Sequence, residues 1–148
     1  MKVFTRSLAI AGAIRVFAGV QNATAQIVDP VEFTTSFAFT VGNTTMPAGS
    51  YTIRQDDDNA MVLQLQGPHS SVLFQAEQTQ ANETPSKTEV VLKRYGDGYV
   101  LKSIWLEGSN EGAETLTGEG ERHAAKHHSL DGEQRIAARK KANSSKNR

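Results

Sequence analysis

The sequence predicts an all-β fold, an antiparallel β-sandwich or a small barrel of six to seven strands, followed by a basic helical C-terminal tail. Three observations lead to this prediction: apolar and polar residues alternate, turn residues recur at short intervals, and no helical segment separates the strand-like ones. The chain has 148 residues, enough for one domain with a core of modest size. It contains no cysteine, which excludes disulfides, thiolate metal sites and cysteine nucleophiles.

The alternation is clearest over residues 31–41, where five of the six odd positions are apolar. Successive side chains of a strand point to opposite faces, so this pattern predicts one strand with one buried face. Shorter strand-like segments follow at 50–55, 61–66 and 71–78, each bounded by glycine, proline or aspartate. The short connections favour hairpins, and therefore an antiparallel sheet.

The strongest hairpin signal lies at residues 88–106. Two strand-like segments, 88–95 and 99–106, flank a Gly-Asp-Gly turn that tolerates positive φ. With a two-residue turn, alternate residues of both strands share one face. The residues predicted to form the core face are Val90, Leu92, Tyr99, Leu101 and Trp105.

Four segments are predicted along the chain: a signal peptide at 1–25, an antiparallel β domain at 26–107, a glycine-rich linker at 108–120 and a basic tail at 121–148. A basic start, an apolar stretch and Ala23-Thr24-Ala25 form the three parts of a secretory signal, with cleavage before Gln26. A membrane anchor is the alternative, but Arg15 interrupts the apolar stretch. We therefore expect a secreted, periplasmic or extracellular protein with no transmembrane segment in the mature chain.

The charges of the chain are segregated, although its formal net charge is zero. Residues 29–120 hold five basic and thirteen acidic side chains, whereas 121–148 hold eight basic and three acidic ones. The alanines and long charged side chains of the tail favour helices at 121–130 and 133–142, with a disordered end. A tail of net +5 beside a body of net −8 should attract the body of its own chain or of a neighbouring copy.

Several short motifs resemble those of a known family. They are F-A-F-T-V-G at 37–42, P-A-G-S-Y-T at 47–52, R-Y-G-D-G-Y at 94–99, and Trp105. Together they resemble the F-x-F-x-V-G … P-A-G-x-Y-T and R-Y-G-D-x-Y … W segments of an uncharacterised family of small exported bacterial β-proteins. The resemblance spans most of 31–122. It implies export and a β fold, and it implies no activity or site residue.

Three histidines of the tail, His123, His127 and His128, are the residues that would hold a metal ion if the chain had such a site. On a helix His123 and His127 lie one turn apart on the same face, as two zinc ligands would. Neighbouring Arg122 and Lys126 oppose a dication, so we expect a solvated helix and no metal or other cofactor.

No catalytic motif is present: the chain has neither a Gly-x-Ser-x-Gly elbow nor a phosphate-binding Gly-x-x-x-x-Gly-Lys loop. We therefore expect a non-enzymatic exported protein that mediates binding or self-assembly at or outside the cell envelope. A small-ligand-binding barrel is the alternative, followed by an envelope-associated hydrolase. The expected partners are further copies of the chain, in an oligomer or filament, or anionic envelope components. Nucleic acid is not expected, since no aromatic residue lies among the cations of the tail.

Overall fold

The structure, a computed structural model, describes Ile27 and residues 29–141. The predicted signal peptide at 1–25 and the predicted disordered end at 143–148 lie outside the described residues. The elements are β1 (Val31–Thr35), β2 (Phe39–Val41), β3 (Thr44–Met46), β4 (Gly49–Gln55), β5 (Val62–Gln66), β6 (Ser71–Gln80), β7 (Glu89–Tyr95), β8 (Gly98–Trp105), β9 (Glu111–Thr115), α1 (Glu119–His127) and β10 (Leu130–Lys140).

Eight of the strands close into an antiparallel barrel. Their order is β8-β7-β10-β1-β4-β5-β6-β9, and β9 pairs with β8 again to complete the ring. The two remaining strands, β2 and β3, form a hairpin that joins the barrel through a parallel contact between Thr40 and Val100. The predicted all-β class and the barrel alternative are confirmed. The predicted six to seven strands are too few, because the described residues form ten.

The single strand predicted over 31–41 is interrupted at residues 36–38. The Thr35 hydroxyl accepts a hydrogen bond from the Phe37 N–H at 3.2 Å and lies 3.0 Å from the Phe37 carbonyl, to which it donates. Such a local side-chain bond competes with the strand ladder. The chain therefore leaves the barrel wall after β1 and begins the β2–β3 hairpin.

The segment predicted as a linker at 108–120 contains a barrel strand, β9, which pairs with β6 and β8. One of its glycines has a packing reason. A Cβ on Gly112 would lie 2.5 Å from Cε3 of Trp105, the residue opposite it on β8. The glycine lets the two strands pair beneath the indole, so it marks a close approach rather than a flexible connection.

The tail contains both a helix and a strand. Helix α1 confirms the first predicted helix to within a few residues, but the helix predicted over 133–142 is wrong. Those residues belong almost entirely to β10, which pairs with β7 on one side and β1 on the other and so closes the barrel. Two ladders outweigh the helix propensity of alanine and lysine, which is a weak preference of less than about 1 kcal/mol per residue.

Inward-facing side chains from the barrel strands, the β2–β3 hairpin and the segment before β1 form one apolar cluster. Its members are Ile27, Val31, Phe33, Phe39, Val41, Met46, Tyr51, Ile53, Leu63, Leu65, Phe74, Ala76, Val90, Leu92, Leu101 and Ile104. Within the described part of the chain, helix α1 is too short and too polar to cross a bilayer.

Candidate binding cleft

A large concave surface lies outside the barrel, over β7, β8 and β10. Side chains that alternate with the core residues point outward here, because strand residues face opposite sides in turn. The cleft has a volume of about 850 Å³. Its lining is Thr79, Ala81, Asn82, Glu83, Thr84, Pro85, Ser86, Lys87, Glu89, Val91, Lys102, Ser103, Trp105, Glu114, Glu133 and Arg135.

Trp105 lies in this cleft and not in the core, so its predicted position is wrong. The register between β7 and β8 shifts between Val91 and Leu92: Leu92 pairs with Leu101, whereas Val91 pairs with Ser103. Lys102 is therefore the extra residue of a β-bulge, and the alternation of β8 changes phase there.

The change of phase moves Ile104 into the core in place of the indole. Ile104 is 1% exposed and pairs with Val90, whereas Trp105 is only partly buried. Tyr99, on the other side of the bulge, lies where the alternation predicts, against the core cluster. The bulge thus exposes the indole to the outer surface.

Three neighbours fix the orientation of the indole. Its Nε1–H donates to Oγ of the buried Ser103 at 3.0 Å. Gly112 packs beneath the six-membered part of the ring, and Glu89 lies opposite Trp105 on β7. A large flat ring is therefore held in place at the surface without being covered completely.

A chain of ion pairs crosses the floor of the cleft from β7 through β10 to β8. Glu89, only 7% exposed as a side chain, accepts from Nη1 of Arg135. Nη2 of Arg135 lies 3.7 Å from Oε2 of Glu133, and Glu133 also pairs with Lys102. Arg135 is 56% exposed and retains donor capacity toward the cleft.

The opposite wall of the cleft is the β6–β7 loop, residues 81–88. Its backbone is tied to the β8–β9 turn by two hydrogen bonds, from the Ala81 N–H to the Asn110 carbonyl at 2.8 Å and from the Gly108 N–H to the Pro85 carbonyl at 3.0 Å. A loop fixed at two points can form a stable wall. The sequence predicted only a polar loop here. The loop and Trp105 line the same cleft because the barrel brings them together, which no local pattern shows.

The three predicted metal-ligand candidates do not converge. The rings of His123 and His127 are 4.7 Å apart on exposed helix α1, as the helical spacing predicts. His128 lies instead against Gly96, at the β7–β8 turn. Among the described residues no group of three or more histidine, aspartate or glutamate side chains could hold a metal ion.

A buried carboxylate that the sequence did not indicate anchors helix α1. Glu121 accepts from the Lys93 ammonium at 2.6 Å and from the Tyr95 hydroxyl at 2.9 Å. Burial raises the pKa of Tyr95, and the hydrogen bond to the Glu121 carboxylate raises it further. Only the fold brings these residues of β7 and α1 together, so their spacing in the chain gave no signal.

Residues of the recognised motifs have packing roles. Phe37 stacks on Tyr99 with centroids 4.0 Å apart, and Phe39 meets the ring of Tyr51 edge-on at 5.2 Å. The Tyr51 hydroxyl donates to the Pro47 carbonyl. These residues hold the β2–β3 hairpin against the barrel and lie outside the cleft. Trp105 is the motif residue that lines it.

Comparison of the chain with protein-family models, curated proteins and solved structures finds no match. The family resemblance therefore stays a prediction, and the cleft itself is the basis on which a function can be proposed.

Proposed function

We propose that this is an exported, non-enzymatic binding protein that holds a neutral, hydroxyl-rich ligand, such as an oligosaccharide, in the cleft around Trp105. The observation that carries the proposal is the placement of the chain's single tryptophan. It lies outside the core, is fixed by Ser103 and Gly112, and is surrounded by polar side chains. An indole in that setting offers an apolar face beside hydrogen-bonding groups.

The charge of the cleft supports a neutral ligand. Four carboxylates and three cationic side chains line it, so neither sign dominates. A strongly anionic or cationic ligand would meet repulsion from part of this lining. A sugar carries no charge, stacks its C–H face on an aromatic ring and exchanges hydrogen bonds with carboxylate, hydroxyl and guanidinium groups.

The pairing of three of the tail's cations is a reason to prefer a neutral ligand to anionic envelope components. Arg135 pairs with Glu89. Arg139 and Lys141 both pair with Glu32, at 3.0 Å and 3.1 Å. These cations are engaged within the barrel wall, and a polyanion would have to displace their partners.

The engagement of two of the four cleft carboxylates favours binding over catalysis. Glu89 and Glu133 each accept from a cation and help to link the strands. A general acid or base must instead be free to exchange a proton with the reacting group.

Intrinsic fluorescence provides the first test, because Trp105 is the only indole in the chain. The mature protein is titrated with neutral trisaccharides of glucose, of N-acetylglucosamine and of xylose, and separately with heparin. We expect a saturable change in emission with at least one neutral sugar, largely independent of salt. Binding of heparin alone, lost at high salt, would contradict the proposal.

Calorimetry of two variants then tests the site. Trp105→Ala should weaken binding of the active trisaccharide about tenfold, equivalent to about 1.4 kcal/mol. Met61→Ala serves as the matched control, since Met61 is an exposed apolar residue that does not line the cleft. Equal affinities of the two variants would place the ligand elsewhere. Release of a shorter sugar during the titration would show that the protein hydrolyses the ligand, which contradicts a non-enzymatic function.

N-terminal sequencing of protein recovered outside the cytoplasm tests export separately. We expect a mature chain that begins at Gln26, after Ala25. A chain still beginning at Met1 would contradict cleavage.

A further inference from the structure

The first half of β6 has one free backbone edge. Strand β6 pairs with β5 over residues 71–75, but its other edge pairs with β9 only from Ala76 onward. Among the described residues no strand covers that second edge at 71–74. Free edges template pairing with another chain, and natural proteins usually protect them.

Two hydrogen bonds define which groups face that edge. The Ala76 N–H donates to Met61 on the β5 side, and the Gln75 carbonyl accepts from Leu116 on the β9 side. Backbone groups of alternate strand residues point the same way, so Ser71 and Leu73 also point toward the free side. Each presents an N–H donor and a carbonyl acceptor there.

The side chains around this edge are apolar and unusually exposed. Leu73 is 59% exposed and Leu116, which follows β9, is 41% exposed. Both line a groove of about 410 Å³ between the β6 edge and the β2–β3 turn. Thr115 lines it too, and its hydroxyl is buried without a hydrogen-bond partner among the described residues.

In the part of the chain that the structure describes, no charged residue lines the groove, which consists of residues 41–44, 72–75 and 115–118. A two-fold contact brings the same patch of both copies together, so any charge there would face its own image. The free edge also lacks the lysine or proline that commonly blocks pairing. Its composition therefore suits a second copy of the same chain.

We propose that two copies of this protein pair antiparallel along the free edge of β6, around a two-fold axis at Val72. In that register Ser71 of each copy lies opposite the partner's Leu73, and both pairs exchange backbone hydrogen bonds. A register centred on Leu73 would require the Gln75 carbonyl, which Leu116 already occupies. Each exposed Leu73 then packs on the partner's Ser71, and the two Leu73 side chains lie diagonally across the axis on the same face, within reach of each other. This contact is separate from the Trp105 cleft and does not depend on its ligand.

Sedimentation of the mature protein over a range of concentrations tests the pairing. We expect a reversible monomer–dimer equilibrium for the wild type. Leu73→Lys should raise its dissociation constant at least about tenfold, because it removes the apolar contact and places two ammonium groups diagonally across the axis on the same face. Leu130→Lys is the control, since Leu130 is a similarly exposed leucine on β10. Equal weakening by both substitutions, or a wild type that remains monomeric at its highest soluble concentration, would overturn the proposal.

Disulfide cross-linking tests the register. The chain contains no cysteine of its own, so only the introduced cysteines can form disulfides. Hydrogen-bonded antiparallel pairs have Cα atoms about 5.5 Å apart, within disulfide range. Oxidation of a mixture of Ser71→Cys and Leu73→Cys chains should give a mixed covalent dimer in high yield. A Leu130→Cys chain should give only background cross-linking. A yield from the mixture no higher than this background would exclude the proposed pairing. The same result is expected if the edge binds a different protein, so that outcome also overturns the proposal.

Discussion

Strands β7 and β10 lie side by side in the barrel wall, yet they are stabilised in different ways. Strand β7 buries residues on both faces, with Val90, Val91 and Leu92 at most 1% exposed. In β10 only Ile136 and Ala138 are even partly buried. The first strand is stabilised by apolar packing and the second by backbone pairing and ion pairs. An essential strand therefore need not carry a strong apolar pattern.

Ion pairs connect β10 to the neighbouring strands at the seams of the barrel. Arg135 and Glu133 link it to β7 and β8, while Arg139 links it to Glu32 of β1. Exposed pairs contribute only about 0–1 kcal/mol each, so they guide pairing more than they stabilise it. The attraction predicted between a basic tail and an acidic body thus occurs within one barrel wall.

Removal of β10 should have the largest effect. A chain ending at Ser129 loses the strand that pairs with both β1 and β7, which opens the barrel. Typical domain stability is only about 5–15 kcal/mol, so we expect the truncated chain not to fold. Circular dichroism and thermal melting would measure this. A chain ending at Lys141 keeps the whole strand and should fold; a cooperative melt of the shorter chain would show that β10 is dispensable.

The phase of β8 gives a smaller, residue-specific test. Ile104→Ala removes a core side chain and should lower the free energy of unfolding by about 2–5 kcal/mol. Trp105→Ala should cost clearly less, because the indole is partly exposed on the outer face. Urea denaturation followed by circular dichroism compares the two variants. A larger loss for Trp105→Ala would place the indole in the core and remove the basis of the binding cleft.

Apolar alternation predicted the fold class and most of the strands packed on the core. Strands β4 to β7 begin and end within about two residues of the predicted segments. In β4, β5 and the first half of β6 the buried side chains alternate with more exposed ones, whereas β7 is a short apolar segment bounded by turn residues. Strand β10 lacks such a pattern, and its alanines and arginines favour helix in isolation. Its pairing partners lie far away in the chain, at β1 and β7, and no local pattern encodes them.

The candidate cleft could not be predicted for a related reason. The bulge at Lys102 turns Trp105 outward, and no local residue pattern marked its position in advance. Glycine at position 112 indicated a loop by composition, whereas its role is to admit the indole of the neighbouring strand. The histidine spacing correctly predicted one helix face for His123 and His127, but the turn after α1 separates His128 from them.

Protonation of Glu32 should give the smallest effect and tests whether ion pairs hold the β1–β10 seam. Hydrogen bonds from Lys141 and Arg139 hold the pKa of Glu32 below its ordinary value of 4.5. Because the folded-state pKa is lowered, the contribution to stability is present above about pH 4.5 and is lost as pH falls through the lowered value.

The urea midpoint of the wild type should therefore fall as the solution becomes more acidic than pH 4.5, in excess of the change shown by Glu32→Gln. Glutamine keeps the size of the side chain but cannot ionise, so the difference between the two curves isolates this carboxylate. Both curves should also converge at high salt, since the site is exposed and screening weakens its pairs. Identical pH dependence of the two proteins at low salt would mean that the backbone ladder alone closes this seam.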